Sequence, residues 1–221
     1  AGFANGDCQS GSFIPQSQSH RFCCRPMTIV PCLLAASPDA RETVLVVGDS
    51  ISAAYGMQLE QGWVSLLDER LKTEKPSYRV VNASISGDTS GGGLRRLPKL
   101  LTSYTPRIVV IELGGNDGLR GYPISQLREN LKQLVSLSEQ AQAKVLIVPM
   151  EIPPNFGKLY TDAFRASFAD AAEGTSATLA EFPLSSVALD ATLMQPDGIH
   201  PTGDAQPIIM ESVWRALKEL L

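Results

Sequence analysis

A carboxylate and an imidazole stand three positions apart near the C-terminus, in the segment Asp197-Gly198-Ile199-His200-Pro201. At this spacing the Asp197 carboxylate can accept a hydrogen bond from one ring nitrogen of His200 while the other nitrogen faces a hydroxyl group. The chain has two histidines, and the other one, His20, lies within the first 40 residues. Any chemistry that depends on imidazole in the rest of the chain therefore has to use His200.

Ser50 is the candidate nucleophile. It follows a short apolar run, in a segment Gly48-Asp49-Ser50-Ile51-Ser52 that would present both its hydroxyl and its N–H. A Gly-Asp-Ser triplet alone is more often a turn and a helix cap. The order Ser, Asp, His also occurs in α/β-hydrolases, but Ser52 replaces the second glycine of their G-x-S-x-G elbow, and their acid is normally well separated from the histidine. That alternative is disfavoured.

Two further motifs supply uncharged hydrogen-bond donors. Gly87, in a segment that follows the second apolar run, can turn sharply and leaves its N–H unshielded by a side chain. Asn116, in Gly114-Gly115-Asn116-Asp117-Gly118, offers a side-chain amide; taken singly, each segment is typical of a loop. The glycines at 87 and 92 have phosphate-loop spacing, but Gly93-Leu94 stand where Lys and Ser or Thr are required, so we exclude nucleotide binding.

From residue 41 onward, short apolar runs alternate with longer amphipathic ones. This pattern predicts an α/β fold with three α/β/α layers, in which about five parallel strands are covered by helices on both faces. The predicted strands are 43–47, 78–83, 108–113, 144–148 and a weaker 178–181. The predicted helices are approximately 62–72, 93–103, 124–143, 159–172 and 204–221. Ligands of such sheets bind at the carboxyl ends of the strands, which is where Ser50, Gly87 and Asn116 fall.

Composition limits the function classes. The chain has 221 residues, which allows one domain and an appendage. With 19 Lys and Arg against 23 Asp and Glu, its net charge is −4, which argues against nucleic acid or anionic membranes as partners. A hydrophobic fraction of 43% excludes general disorder. No apolar run reaches the roughly 20 residues of a membrane span, so we expect no stable membrane insertion.

Residues 1–40 differ in composition from the rest and predict a leader outside the core fold. They contain every cysteine of the chain, namely Cys8, Cys23, Cys24 and Cys32, so the remainder cannot use a cysteine nucleophile or a cysteine metal site. The apolar run 27–37, preceded by Arg21 and Arg25, suits the core of a signal peptide and predicts a periplasmic or secreted location. A disulfide-bonded extension and a cloning or start-site artefact stay open as alternatives.

Together the motifs resemble the four blocks of the SGNH hydrolases, also called the GDSL family, which are named for Ser, Gly, Asn and His. Ser50, Gly87 and Asn116 match the first three blocks, and Asp197 with His200 matches the last, in the family's order. The resemblance covers about residues 43–221 and is strongest to bacterial acyl-CoA thioesterases, lysophospholipases and arylesterases.

The resemblance implies a flavodoxin-like SGNH hydrolase fold over residues 41–221. It also implies a serine hydrolase of carboxylic esters and thioesters, with no metal and no cofactor. Ser50, His200 and Asp197 would form the triad, and the N–H groups of Ser50 and Gly87 with the Asn116 amide would form the oxyanion hole. The partners would be small-molecule acyl esters or thioesters. The oligomeric state is undetermined, and a monomer is compatible with the sequence. A catalytically silent member that binds acyl or glycan ligands is the alternative.

Two segments resemble loops that contact the acyl chain in this family. Residues 117–122 resemble a mobile loop that closes over the chain, and residues 151–157 resemble a loop that borders the acyl groove. Glu151 stands where a basic residue is usual, which leaves the acyl-chain preference open. The candidate substrate-binding residues are Asp117, Leu119, Tyr122, Ile152, Pro153 and Phe156.

Overall fold

The computed structural model describes residues 41–221. The predicted leader, with its three alternative interpretations, lies outside the described residues, so both the leader and the periplasmic or secreted location stay predictions. Within residues 41–221, no helix combines the length and the apolar character that a membrane crossing requires.

Five parallel strands form one sheet. They are β1 (Glu42–Gly48), β2 (Tyr78–Asn82), β3 (Ile108–Glu112), β4 (Lys144–Ile147) and β5 (Thr178–Leu179). Their spatial order is β2-β1-β3-β4-β5, and each neighbouring pair is parallel. The central strands β1 and β3 are buried along almost their whole length. This burial on both faces explains why the two strands are nearly continuous runs of Val, Ile and Leu.

Helices cover both faces of the sheet. They are α1 (Trp63–Glu74), α2 (Ser90–Tyr104), α3 (Gly115–Leu119), α4 (Ile124–Gln140), α5 (Lys158–Ala172) and α6 (Gln206–Leu217). Helix α1 packs against α6, while α2 packs against α4 and α4 against α5. Because crossovers between parallel strands are right-handed, these two groups lie on opposite faces. The predicted three-layer α/β/α architecture is confirmed.

Three elements differ from the sequence-based expectation. Helix α2 begins at Ser90 instead of Gly93, because the Thr89 side chain accepts a hydrogen bond from the Gly92 N–H at 3.1 Å and so caps the helix. The glycine-rich segment after β3, expected to be a loop, contains the short helix α3. Strand β5 is two residues long instead of four, and it pairs with β4 alone, at the edge of the sheet.

The sheet topology collects the motif residues at one edge. Strand β1 lies between β2 and β3, so the chain leaves β1 toward one edge of the sheet to form β2 and then crosses to the other side of β1 to form β3. Ligands bind at such a topological switch point in open α/β sheets. The loops after these three strands carry Ser50, Gly87 and Asn116. His200 arrives from the segment before α6, which is held by a hydrogen bond from the Gln195 N–H to the His200 carbonyl at 2.7 Å.

Candidate active site

Ser50 lies in a tight turn directly after β1. Backbone hydrogen bonds from the Ala53 N–H to the Asp49 carbonyl at 2.9 Å and from the Tyr55 N–H to the Ser50 carbonyl at 3.1 Å close this turn. The Asn82 side-chain amide, at the end of β2, donates to the Ser52 carbonyl at 2.8 Å. The position of the Ser50 hydroxyl is therefore determined by two adjacent strands and the hydrogen bonds between their loops.

A hydrogen-bonded series runs from Ser50 through His200 to Asp197. His200 Nε2 lies 2.9 Å from Ser50 Oγ, and His200 Nδ1 lies 2.6 Å from Asp197 Oδ2. The other carboxylate oxygen of Asp197 accepts the N–H groups of Ile199 at 2.9 Å and His200 at 3.0 Å. These hydrogen bonds, the backbone one from His200 first, lower the pKa of Asp197 to about 2. A charged acceptor is therefore present beside the imidazole at every pH at which the fold would normally be studied.

The His200 ring also contacts Tyr55, a residue that the sequence analysis missed. Their ring centroids are 4.3 Å apart, with the planes tilted by 34°. The Gln195 side-chain amide connects the two segments further, because it donates to the Tyr55 carbonyl at 2.8 Å and to the Pro201 carbonyl at 2.9 Å. No local spacing could have identified Tyr55, since the ring meets a partner about 145 positions away.

Asn116 lies in α3, with its amide held by Asp49. Asn116 Nδ2 donates to Asp49 Oδ2 at 3.0 Å, which uses one amide hydrogen and leaves the second for another acceptor. The other Asp49 oxygen accepts the Ile51 N–H at 3.1 Å. Asp49 is 2% exposed, and this burial raises its pKa to about 6. The sequence analysis did not assign Asp49 the role of holding the Asn116 amide, and its position next to Ser50 was the only signal for that role.

Gly87 has a positive φ of +77°, a conformation that favours glycine. Its carbonyl accepts a hydrogen bond from Arg120 Nη2 at 2.9 Å. Within residues 41–221, no protein acceptor is hydrogen-bonded to the N–H of Gly87 or to that of Ser50. Both groups can therefore donate to a ligand.

Arg96 holds the loops after β1 and β2 together. Its Nε pairs with Asp88 Oδ2 at 2.8 Å, Nη1 donates to the Ala83 carbonyl, and Nη2 donates to the Gly48 carbonyl at 3.3 Å. This side chain thereby sets the distance between the loop that bears Ser50 and the loop that bears Gly87. The sequence analysis missed Arg96, which lies on an ordinary-looking helix.

Glu112, at the end of β3, is a second buried carboxyl group beside Asp49. Its Oε2 accepts the Ser52 hydroxyl at 2.6 Å and the Asp49 N–H at 3.3 Å. Its Oε1 has no hydrogen-bond partner among the described residues. Burial first, and the charge of Asp49 second, raise the pKa of Glu112 well above its ordinary value. The sequence analysis missed Glu112, although an acidic residue at the end of an otherwise apolar strand could have indicated it.

A cavity of about 540 Å³ opens beside Ser50, Asn116 and His200. Three of the six predicted substrate-binding residues line it, namely Leu119, Ile152 and Pro153. The rest of its wall is largely apolar and includes Leu184, Leu189, Met194 and Ile199. In the described part of the chain, no three His, Cys, Asp or Glu side chains are grouped as they would be to hold a metal ion.

The other three predicted substrate-binding residues lie outside this cavity. Asp117 is 3% exposed and accepts hydrogen bonds from the Ser90 N–H at 2.8 Å and the Ser90 hydroxyl at 2.6 Å. It therefore stabilises the start of α2 instead of facing the ligand space. Tyr122 is exposed, and its carbonyl accepts the Tyr160 hydroxyl at 2.8 Å. Phe156 lines a separate cavity of about 430 Å³.

Comparison with known proteins identifies the family of the chain. Residues 46–206 match the model of the GDSL-like lipase/acylhydrolase family. The chain is 49% identical over 200 residues to esterase TesA of Pseudomonas aeruginosa, covering 89% of this chain and 100% of that protein. It is 45% identical over 186 residues to an arylesterase of Vibrio mimicus (84% and 92% covered), and 41% identical over 189 residues to thioesterase 1/protease 1/lysophospholipase L1 of Escherichia coli K12 (86% and 89% covered).

Solved structures give the same result. A crystal structure of TesA superposes with a TM-score of 0.79 at 52% identity, covering 81% of this chain and 100% of that one. The psychrotrophic esterase EstA of a Pseudoalteromonas species, in a structure inhibited by monoethylphosphonate, superposes with a TM-score of 0.77 at 45% identity, covering 80% and 97%. The resemblance predicted from the four motifs is confirmed: the chain belongs to the GDSL-like lipase/acylhydrolase family.

Proposed function

We propose that this chain hydrolyses carboxylic esters and thioesters with Ser50 as nucleophile, His200 as general base and Asp197 as the residue that orients the imidazole. The observation that carries the proposal is the position of His200, whose two ring nitrogens lie 2.9 Å from the Ser50 hydroxyl and 2.6 Å from the Asp197 carboxylate. A hydroxyl becomes a strong nucleophile when an oriented base can take its proton.

In the first step, Ser50 Oγ attacks the substrate carbonyl carbon while His200 Nε2 takes the hydroxyl proton. The Asp197 carboxylate accepts from Nδ1–H, which keeps Nε2 free of a proton before the step and stabilises the imidazolium after it. The imidazolium then gives its proton to the leaving alcohol or thiol, and an acyl-enzyme remains. His200 next takes a proton from water as the water oxygen attacks the acyl carbon. The imidazolium then gives this proton to Ser50 Oγ as the bond from Oγ to the acyl carbon breaks, which releases the acid.

Negative charge develops on the carbonyl oxygen in both steps. Three donors can meet it, the N–H groups of Ser50 and Gly87 and the second hydrogen of the Asn116 amide. The first two have no acceptor in residues 41–221, and the third is left over from the hydrogen bond to Asp49. Such donors stabilise the transition state because they are oriented before the charge appears.

The cavity supports an apolar acyl group as the part of the substrate that is bound. Its volume of about 540 Å³ is within the usual range for small-molecule sites, and Leu119, Ile152 and Pro153 provide apolar wall. Esters and thioesters present the same carbonyl to Ser50. The relatives named esterase, arylesterase and thioesterase support both leaving-group classes for this chain.

The test is a chain-length series of p-nitrophenyl esters and acyl-CoAs with the purified protein, followed by Ser50→Ala and His200→Ala. We expect each substitution to reduce kcat by at least about 10³-fold, because each removes a member of the triad. Ser103→Ala, on the exposed end of α2, is the matched control and should keep wild-type rates. Wild-type hydrolysis by Ser50→Ala would overturn the mechanism.

A fluorophosphonate probe separates this function from the alternative of a silent acyl- or glycan-binding protein. Only an activated serine reacts, so the wild-type chain should gain one label, and Ser50→Ala should gain none. A wild-type chain that binds acyl ligands but resists the probe would favour the silent alternative.

A further inference from the structure

A pair of buried carboxyl groups lies behind the nucleophile turn. Asp49 is 2% exposed and Glu112 is 1% exposed, and they come from the ends of the adjacent strands β1 and β3. Both are tightly surrounded: a Cβ on Gly48 would lie 2.7 Å from Glu112 Oε2, and a Cβ on Gly115 would lie 3.3 Å from Asp49 Oδ2. The proposed mechanism uses neither carboxyl group directly.

Two ionised carboxylates cannot share such a site at low cost, because burial disfavours each charge and the charges repel. Each carboxyl group accepts two hydrogen bonds, but the surroundings of the two groups favour the charge on Asp49. Asp49 accepts from the Ile51 N–H and from Asn116 Nδ2, and the nearby His200 also favours its charged form. Glu112 has one oxygen with two donors and one oxygen without any, so it is the poorer site for a charge.

The guanidinium of Arg96 lies near the nucleophile turn but is paired with a different carboxylate. Arg96 reaches the carbonyl of Gly48 at 3.3 Å, but its Nε forms an ion pair with Asp88 at 2.8 Å. The pKa values agree with an unequal pair, since that of Asp49 rises to about 6 and that of Glu112 is raised well above its usual value, by burial first and by the charge of Asp49 second.

We propose that Glu112 is a positioning residue that stays protonated at neutral pH, so that the pair carries one charge, on Asp49, and anionic Asp49 fixes the Asn116 amide. An anionic Asp49 can only accept, which forces the Asn116 nitrogen toward it and determines where the second amide hydrogen points. A neutral Asp49 could also donate to the amide oxygen and would allow the amide to rotate by 180°. The proposal rests on the oxyanion role of Asn116 in the proposed function.

The protonation state can be measured without any activity. In the wild-type chain labelled with ¹³C at the glutamate side-chain carboxyl carbons, Glu112→Gln identifies the Glu112 signal by its disappearance. We expect this signal to have the position of a neutral acid at pH 7, far above the ordinary glutamate pKa of about 4.3. A Glu112 signal that shows a carboxylate at pH 7 would overturn the proposal.

Kinetics tests the positioning. Glu112→Gln mimics the neutral acid, because its amide oxygen can accept from Ser52 and from the Asp49 N–H, so kcat should stay within about threefold of wild type and the acid limb of the pH profile should not move. The methionine of Glu112→Met has a similar shape but offers no acceptor to Ser52 and the Asp49 N–H. This substitution should lower kcat by about 10–100-fold with KM almost unchanged, because it removes part of the transition-state stabilisation that the Asn116 amide provides. Glu129→Gln and Glu129→Met, at an exposed position on α4, are the matched controls.

A double-mutant cycle separates positioning from a general structural role. In an Asn116→Ala background, Glu112→Met should cost less than about threefold in kcat, because it acts through the amide that is already absent. The proposal would be overturned if Glu112→Met reduced kcat by the same factor with and without Asn116. It would also be overturned if Glu112→Gln lost tenfold in kcat or shifted the acid limb of the pH profile. If Glu112→Met does not fold, the Glu112→Gln profile and the carboxyl signal still decide it. A wild-type chain without esterase activity would instead overturn the proposed function, and the positioning role with it.

Discussion

We expect Asp197→Asn to reduce kcat more than Asp197→Ala, although asparagine is the closer mimic of aspartate in shape. One oxygen of Asp197 accepts the N–H groups of Ile199 at 2.9 Å and His200 at 3.0 Å. In Asp197→Asn the amide oxygen has to take this position, because the nitrogen cannot accept. The amide nitrogen then lies where Oδ2 was, 2.6 Å from His200 Nδ1. It donates, so Nδ1 must accept and the ring proton moves to Nε2, facing Ser50.

The magnitudes follow from these contacts. Asp197→Ala loses one charge-assisted hydrogen bond to the imidazole, about 1.5–3 kcal/mol, or roughly 10–100-fold in kcat at about 1.4 kcal/mol per tenfold. Because the Asp197 side chain is 39% exposed, water replaces part of it, and we expect about 10–30-fold. Asp197→Asn also puts the imidazole in the wrong tautomer and loses most of the general-base contribution of about 10²–10⁴. Its total loss should be about 10³-fold or more.

The assay is saturation kinetics of p-nitrophenyl ester hydrolysis at one pH near 8, with melting temperatures to verify that both variants fold. KM should change little, since Asp197 does not line the cavity. If Asp197→Asn were as active as Asp197→Ala, the reasoning that the two backbone N–H groups fix the amide orientation would be refuted.

Three further predictions concern the oxyanion donor, the buried acid and packing. Asn116→Ala should lower kcat by about 10²–10³-fold with KM nearly unchanged, and a loss below about fivefold would contradict its role as a donor. Burial raises the pKa of Asp49 to about 6, above the value near 3.9 in an unfolded chain, so the folded state keeps a proton that the unfolded state releases. The contribution of the Asp49 carboxyl group to stability is thus fully present below about pH 4 and is lost as the pH rises through about 6. The free energy of unfolding, measured by urea denaturation at about pH 4 and about pH 6, should therefore decrease less in Asp49→Asn than in the wild type, by up to about 3 kcal/mol. An identical decrease in the two proteins would refute this. Gly118→Ala would place a Cβ 2.7 Å from Ile152 Cγ2 and should lower the free energy of unfolding by about 1–3 kcal/mol through overpacking. In the control Gly91→Ala, the nearest atom to the new Cβ is 3.4 Å away, so the melting temperature should stay almost unchanged. Equal melting temperatures of the two variants would contradict the packing argument.

Local sequence was sufficient for the sheet and for the residues of the four motifs. Buried parallel strands need continuous apolar runs, so β1 and β3 are evident from composition alone. The parallel topology then brings the residues that follow each strand to one edge. Ser50 and Asn116 could be expected to meet for this reason, although 66 positions separate them. The proximity of Asp197 to His200 needed only their short spacing.

Contacts that depend on packing across the chain could not be predicted. Asp117 has the position of a ligand-binding loop residue, yet it is buried and accepts hydrogen bonds from Ser90 because α2 begins earlier than its glycines suggest. Tyr55 meets the His200 ring only once the segment before α6 folds over the nucleophile turn. Glycine propensity and side-chain exposure are local averages, and neither includes the partner that a distant element provides.

The sequence by itself determined the fold class, because apolar periodicity predicts the sheet and its helices, and the family, because the four motifs resemble its blocks. It also predicted the residues to which the proposed chemistry is assigned. Only the tertiary structure decided how those residues are held. The placement of a second carboxyl group, Glu112, against Asp49 depends on the register between β1 and β3. The charge on each of them depends on burial and on donors from separate loops. Electrostatics in a buried site is a property of three-dimensional surroundings, and no single segment of the chain contains it.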